Sequence, residues 1–508
     1  MNPLKTLLRH SSHYFGGRLA LMLLGFASFP VFTRVFSVAD YGTLNLVLNT
    51  VLLLTVLAKF GLQHALQRFY PEHAASSDPV ALRRYYSTLF YGSGLLGGLF
   101  SSAFLGAIVL GLGRFLGISV TGTLALASAL VVIRSLRSIQ LNLMQMENKT
   151  KLFNGMEILQ KAATIGLTLL LLFLWSRSIM ACFIAMIVVE AAVMLQYVPI
   201  LARRGLVSPS LFDLKFLRDA TVFAFPLMIA EIAWVLLAVG DRFFVQHYRG
   251  AVDVGYYAAA YGIATYVQEV LMVPLQISFF PICMKLWAAE GKIATQKFLS
   301  RSLNYFMMGS VLAVSVAIVT AREVVVVLAS KKYQQARTLL PFLVIGLVLW
   351  AANTFFRPGL LINKRARTIA QTTLCAVALN IALNIGLLPR LGLIGAAWAS
   401  TISFTTMLVL TGFASLRVLP FRIEWMALTR YLAVGLLASW AASRIPVASP
   451  IPSALIKGTV IVLLYGGVLW MIDGHVRRLF AQAISSVAQL TRGRREVAAE
   501  PLTATAEQ

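Results

Sequence analysis

The sequence predicts an all-α integral membrane protein with about fourteen transmembrane helices, and three observations carry that prediction. Of the 508 residues, 59% are hydrophobic and only 12% charged, about half the charged share of an ordinary soluble domain, and the mean hydropathy is +0.79. Stretches of about 20 mostly apolar residues, the length a helix needs to cross the hydrocarbon core, recur along the whole chain. No segment between them exceeds about two dozen residues, which leaves no room for a soluble catalytic domain of about 50 residues or more. Function is therefore expected among the helices.

In order, the apolar stretches run over 15–36, 42–63, 84–111, 121–143, 153–175, 178–200, 219–241, 254–279, 297–320, 335–357, 367–389, 393–416, 424–443 and 452–473. An even number puts both ends of the chain on one side. With those ends in the cytoplasm, 26 of the 44 Lys and Arg residues fall on that side and 11 on the other, as the positive-inside rule requires. That asymmetry accounts for much of the net charge of +25 without a nucleic-acid partner. The polar opening segment, Met1 to His13, leads into an apolar run that carries Arg18 and has no small-residue cleavage site, so the first helix is expected to be retained. Residues 475–508 begin as a basic amphipathic stretch with Arg477, Arg478, Leu479 and Phe480, expected to lie on the inner leaflet and then fray. Cys182, Cys283 and Cys375 lie far apart with no paired spacing and read as packing residues.

An internal echo divides the chain. After the first span come Arg34 with aromatic neighbours, then Asp40, Tyr41 and Gly42. After the seventh come Asp241 and Arg242, again with aromatics, then Asp253, Gly255 and Tyr256. Six helices separate the two junctions, as a duplicated bundle requires, although Asp and Gly are also ordinary turn residues.

At these residues the sequence resembles the polysaccharide-transporter, or O-antigen flippase, branch of the multidrug/oligosaccharidyl-lipid/polysaccharide exporter superfamily. The likeness rests on the junction from Arg34 to Gly42, the segment from Phe60, Gly61 and Leu62 to Tyr70, the hairpin from Asp241 to Tyr256, and Phe280–Pro281 after the eighth span. Their order along nearly the whole chain is more specific than any one of them. The resemblance implies two six-helix lobes around a central cavity, at 1–205 and 206–418, followed by two additional helices at 419–474. It also implies alternating access that carries an undecaprenyl-pyrophosphate-linked oligosaccharide from the cytoplasmic to the periplasmic leaflet of a bacterial inner membrane. The implied partners are that lipid-linked glycan, membrane lipids, and a glycan polymerase with its export machinery.

Independently of that likeness, an ionisable group in the hydrocarbon region costs a few kcal/mol and generally faces a cavity, a partner or the interface. Arg18 and Lys59 fall near the cytoplasmic ends of the first two spans, where each either meets a pyrophosphate or snorkels to the interface. Arg134 and Arg137, three apart on one helical face, either line an anion-attracting cavity or pair with Glu157 or Glu190. Glu157 and Lys161, four apart with the acid first, are expected to pair within their own helix. Glu231 and Glu269, in the middle of the seventh and eighth spans, suit coupling to H⁺ or Na⁺, or neutralise an Arg. Arg34, Asp40, Gly42, Asp241, Arg242 and Gly255 are expected to shape the two hairpins. Arg357 is expected at the cytoplasmic end of the tenth span.

No phosphate-binding loop of the G-x-x-x-x-G-K-[ST] type occurs, so transport is expected to be secondary, with no metal and no cofactor beyond a coupling ion. A multidrug exporter on the same scaffold is the first alternative, but it calls for acidic cavity walls. A glycan polymerase or ligase is the second, but its usual large periplasmic loop is missing.

Overall fold

The structure, a computed structural model, describes residues 3–75, 78–111, 121–147, 149–203, 207–474 and 476–477. The tail expected at 475–508 lies outside the described residues apart from Val476 and Arg477. No strand occurs among the described residues, since within a membrane each helix satisfies its own backbone.

The first half comprises α1 (Pro3–Val35), α2 (Val38–Lys59), α3 (Leu62–Ala74), α4 (Pro79–Val109), α5 (Thr121–Met146), α6 (Thr150–Leu174) and α7 (Ile179–Arg203). The second comprises α8 (Leu214–Val239), α9 (Asp241–Arg249), α10 (Ala251–Val319), α11 (Ala321–Ala329), α12 (Leu340–Ala352), α13 (Arg357–Ile362), α14 (Ala366–Leu391) and α15 (Leu393–Val418). Two further helices follow, α16 (Trp425–Ser443) and α17 (Pro450–Ile472). Helix stands at every expected span. Twelve segments are long and apolar enough to cross a membrane on length and composition alone. The first part of α10, with Gln268 and Glu269, and α16, with Arg430, are the more polar members.

Local chemistry sets the breaks. Ser37 caps α2 by accepting from the Asp40 amide at 3.1 Å, and its hydroxyl donates to Asp40 Oδ2 at 2.6 Å. Phe60 and Gly61 then both adopt the left-handed conformation (φ 49° and 72°), so the span expected to run to 63 ends at Lys59 and α3 starts in a new direction. Gly291 (φ 77°) divides α10 between the two expected spans at 254–279 and 297–320. The span expected at 335–357 is displaced to 340–362 and interrupted by a 3₁₀ turn at Asn353–Phe355, before Pro358 opens α13. Arg357 is consequently inside this span and not at its end.

The halves repeat one packing scheme. Helix α1 packs on α6, α6 on α7 and α5 on α7; correspondingly α8 packs on α14, α14 on α15 and α12 on α15. By its contacts the chain forms two compact units, Met1–Phe306 with Ala321–Ile423, and Met307–Thr320 with Glu424–Gln508. In the second unit, α16 and α17 join through Tyr431, Val434, Ala438, Ile461 and Tyr465, and the Tyr465 hydroxyl donates to the Met308 carbonyl at 2.9 Å. Outward-facing side chains such as Leu174, Leu436 and Leu463 are exposed and apolar, the surface that lipid chains cover.

Candidate functional site

The second half encloses a cavity of about 510 Å³, within the usual range for small-molecule sites of about 300–1,000 Å³. Helices α8, α9, α10, α12, α13, α14 and α15 and the Asn353 turn contribute to its wall, with Trp234, Arg242, Glu269, Trp350 and Arg357 among the lining side chains. Trp234 and Trp350 lie with ring centroids 5.1 Å apart at 45°, and Trp350 stacks on Phe404 at 5.2 Å and 5°.

The neighbouring residues Asp241 and Arg242 separate in role. Asp241 is fully buried, and its Oδ2 accepts from the Tyr257 hydroxyl at 2.5 Å and from Ser400 at 2.7 Å, tying α9 to α10 and α15. Arg242, 5% exposed, donates to the Ala238 carbonyl at 2.8 Å and holds its guanidinium 4.0 Å from the centre of the Tyr261 ring. It was expected only to shape the hairpin; it also lines the cavity.

In the first half the intramembrane charges are largely paired. Arg134 donates to Glu190 from Nη2 at 2.9 Å and from Nε at 3.2 Å, and Glu190 is buried. Arg137 pairs with Glu157. The intrahelical pair expected between Glu157 and Lys161 therefore gives way to a bridge from α5 to α6, because Arg137 approaches Glu157 from the facing helix with a planar donor fork. Lys161 lies within electrostatic reach of Arg134, Glu157, Glu190 and Glu269. Glu269 in turn is within reach of Arg18 and Lys161. Neither of those cations makes an ion pair among the described residues. Glu269 thus belongs both to the cavity wall and to a charged region fed by α1 and α6.

Lys59 and Glu231 meet directly. Lys59 Nζ lies 3.0 Å from Glu231 Oε1, Gln63 Nε2 donates to Oε2 at 2.5 Å, and His64 Nε2 stands 3.5 Å from the same oxygen. The left-handed break at Phe60–Gly61 makes this possible by turning Gln63 and His64 toward α8. A Cβ on Gly61 would stand 2.7 Å from the Ala224 carbonyl of that helix.

The first hairpin joins α11 and the turn that follows it: Arg34 Nη2 donates to the Val327 carbonyl at 2.6 Å and Nη1 to Leu328 at 3.3 Å, while Lys332 returns to the Arg34 and Phe36 carbonyls at 3.0 and 2.5 Å. The two hairpins meet directly at their glycines. Gly42 faces Ala251, and Gly255 faces Val38.

Sequence reasoning did not assign Lys161, Trp234, Trp350 or Arg357 to a binding site. A signal existed for the tryptophans, since both sit inside apolar spans. For Arg357 the signal was Pro358, which restarts a helix within the span.

Duplicated helical halves and ionisable groups within long apolar spans define a multi-pass helical membrane protein. The match of residues 7–287, more than half the chain, to the family described as polysaccharide biosynthesis protein shows that this chain belongs to that family. No curated protein sequence matches it. Among solved structures, the chain is similar to the lipid II flippase MurJ in an inward closed conformation, with a TM-score of 0.74 at 14% identity over 91% of this chain and 99% of that one. It is also similar to the eukaryotic MATE transporter AtDTX14, with a TM-score of 0.54 at 11% identity over 85% and 99% of the chains. The Vibrio cholerae MATE transporter VcmN in its bent form gives 0.50 at 15% identity over 85% and 98%. At such identities the likeness is one of fold.

Proposed function

We propose that this protein flips an undecaprenyl-pyrophosphate-linked oligosaccharide from the cytoplasmic to the periplasmic leaflet of a bacterial inner membrane, for surface polysaccharide or lipopolysaccharide assembly. The lobes at 1–205 and 206–418 would alternate access, with both chain ends in the cytoplasm and the helices of 419–474 appended. The observation that carries this reading is the position of Glu269, on the cavity wall and within reach of two cations without ion pairs, Arg18 and Lys161.

A pyrophosphate needs cations whose charge is not already spent. Arg18 and Lys161 meet that condition; Lys59, Arg134 and Arg137 are engaged by carboxylates and serve in this reading to hold helices together. When an anion takes over Arg18 and Lys161, the Glu269 carboxylate loses its cationic neighbours, and an H⁺ or Na⁺ at Glu269 restores the balance. That makes Glu269 the coupling group, with Glu231 as a contact between the lobes that must break when they separate. The MATE neighbours share the fold, but Arg242 and Arg357 in the wall disfavour cationic drugs.

Deletion of the gene is expected to abolish the surface glycan and to accumulate its lipid-linked precursor in the cytoplasmic leaflet, and Arg18→Ala with Lys161→Ala to do the same with the protein still present. Normal surface glycan with altered drug tolerance would overturn the flippase reading in favour of drug export.

A further inference from the structure

We propose that the cavity of the second half is a sugar subsite selective for a carboxylate-bearing sugar, of the uronic acid class, in the part of the glycan next to the pyrophosphate. This rests on the flippase reading for what delivers the sugar, but its chemistry stands on the wall itself. Arg357 is exposed to the cavity and has no ion pair among the described residues. Arg242 is held in place by Ala238 and Tyr261, and its buried Nε has no acceptor. The one acid among the lining residues, Glu269, stands within electrostatic reach of Arg18 and Lys161 without an ion pair to either. Buried Asp241 offsets the charge of its neighbour Arg242, so Arg357 is the lining cation that no acid pairs with among the described residues.

Charge alone would equally suit a second phosphate, and the remaining wall decides against that. Trp234 is 46% exposed, and beside it Trp350 is backed by the stacked Phe404 ring. Such a platform offers a rigid apolar face on which a sugar's C–H face stacks at little entropic cost. Gln268 lines the same cavity, and the buried Asn353 Oδ1 has no donor; amides of this kind pair with hydroxyls. An Arg guanidinium binds a carboxylate through two parallel hydrogen bonds. A neutral sugar would leave Arg357 desolvated and unpaired, so the site discriminates by penalty as well as by attraction. Because Glu269 belongs both to the wall and to the surroundings of Arg18 and Lys161, a pyrophosphate at those cations would set the adjoining sugars at the cavity.

The test is equilibrium binding to the purified full-length protein in lipid nanodiscs by saturation-transfer NMR, with three probes: a soluble disaccharide glycoside ending in glucuronate, its glucose counterpart, and undecaprenyl pyrophosphate without sugar. The wild type is expected to prefer the glucuronate probe by about 10-fold, the value of one charge-assisted contact. Arg357→Gln should remove most of that preference while leaving the affinity for undecaprenyl pyrophosphate unchanged, and Trp350→Ala should weaken both disaccharides alike. Equal affinity of the wild type for the two disaccharides, or an Arg357→Gln variant that loses undecaprenyl pyrophosphate instead, would overturn the proposal. Failure of the wild type to bind undecaprenyl pyrophosphate, with the glucuronate preference intact, would count against the flippase reading and uphold the sugar subsite.

Discussion

Gly42 and Gly255 seat the two halves against each other: a Cβ on Gly42 would stand 2.1 Å from the Ala251 carbonyl oxygen, and one on Gly255 2.0 Å from that of Val38. The contact is reciprocal, since each glycine is the fifth residue of the helix after its own junction and receives the backbone of the other's. Small residues let membrane helices approach this closely. Around the contact, Arg34 and Lys332 both donate to main-chain carbonyls across the halves, and the Tyr41 and Tyr333 rings meet edge to face at 5.8 Å.

Gly42→Ala or Gly255→Ala is expected to destabilise the protein by about 1–3 kcal/mol, the usual cost of forcing a methyl group into occupied space. Thermal unfolding in detergent reads the loss. The double variant should cost less than the two singles combined, because the separation of the helices that one methyl group forces also makes room for the other. An unchanged melting temperature in either single variant would contradict the close approach.

Glu190→Gln is expected to destabilise the protein by about 1–3 kcal/mol, because it leaves the half-buried Arg134 without its countercharge. The Arg134→Met, Glu190→Leu double variant should recover most of that stability and retain glycan export. A double variant that folds normally but exports nothing would return Arg134 to the substrate path.

Lys59 and Glu231 touch across the halves, so joining them should arrest alternating access. With Lys59→Cys and Glu231→Cys, a short reducible thiol cross-linker is expected to stop export, and a reductant to restore it. Continued export after complete cross-linking would show that this contact survives the transport cycle.

Tyr257→Phe and Ser400→Ala each remove one donor from the buried Asp241 carboxylate. Each should cost about 1–3 kcal/mol, the penalty for leaving a buried acceptor short of a partner. Melting temperatures compared with that of Thr405→Ala, a hydroxyl bonded only within its own helix, isolate the effect from general loss of a side-chain oxygen.

Much of the architecture was legible because the bilayer imposes a simple arithmetic. Runs such as 178–200 and 452–473 have the length of the hydrocarbon core and no alternative solvent, and helix occupies them. The junction echo was legible because Asp40 and Gly42, and Asp253 and Gly255, recur with one spacing; the structure sets them in the opening turns of α2 and α10, where the glycines serve close helix approach and not a turn. Breaks inside spans were harder: Phe60–Gly61 and Asn353–Phe355 interrupt apolar stretches without altering their mean polarity, and the second displaces Arg357 from an end to a cavity wall.

By itself, then, the sequence determined that this is a multi-pass helical membrane protein, roughly where its helices run, and which buried charges require an explanation, since hydropathy and length are properties of the chain alone. Which charge answers which was decided only in three dimensions. Glu157 chose Arg137 over Lys161 in its own helix, Glu231 took Lys59, Gln63 and His64, and Arg18 and Lys161 were left without ion pairs beside Glu269. The physical reason is that an ion pair depends on a few ångströms of approach between helices far apart in the chain, and hydropathy carries no record of that distance.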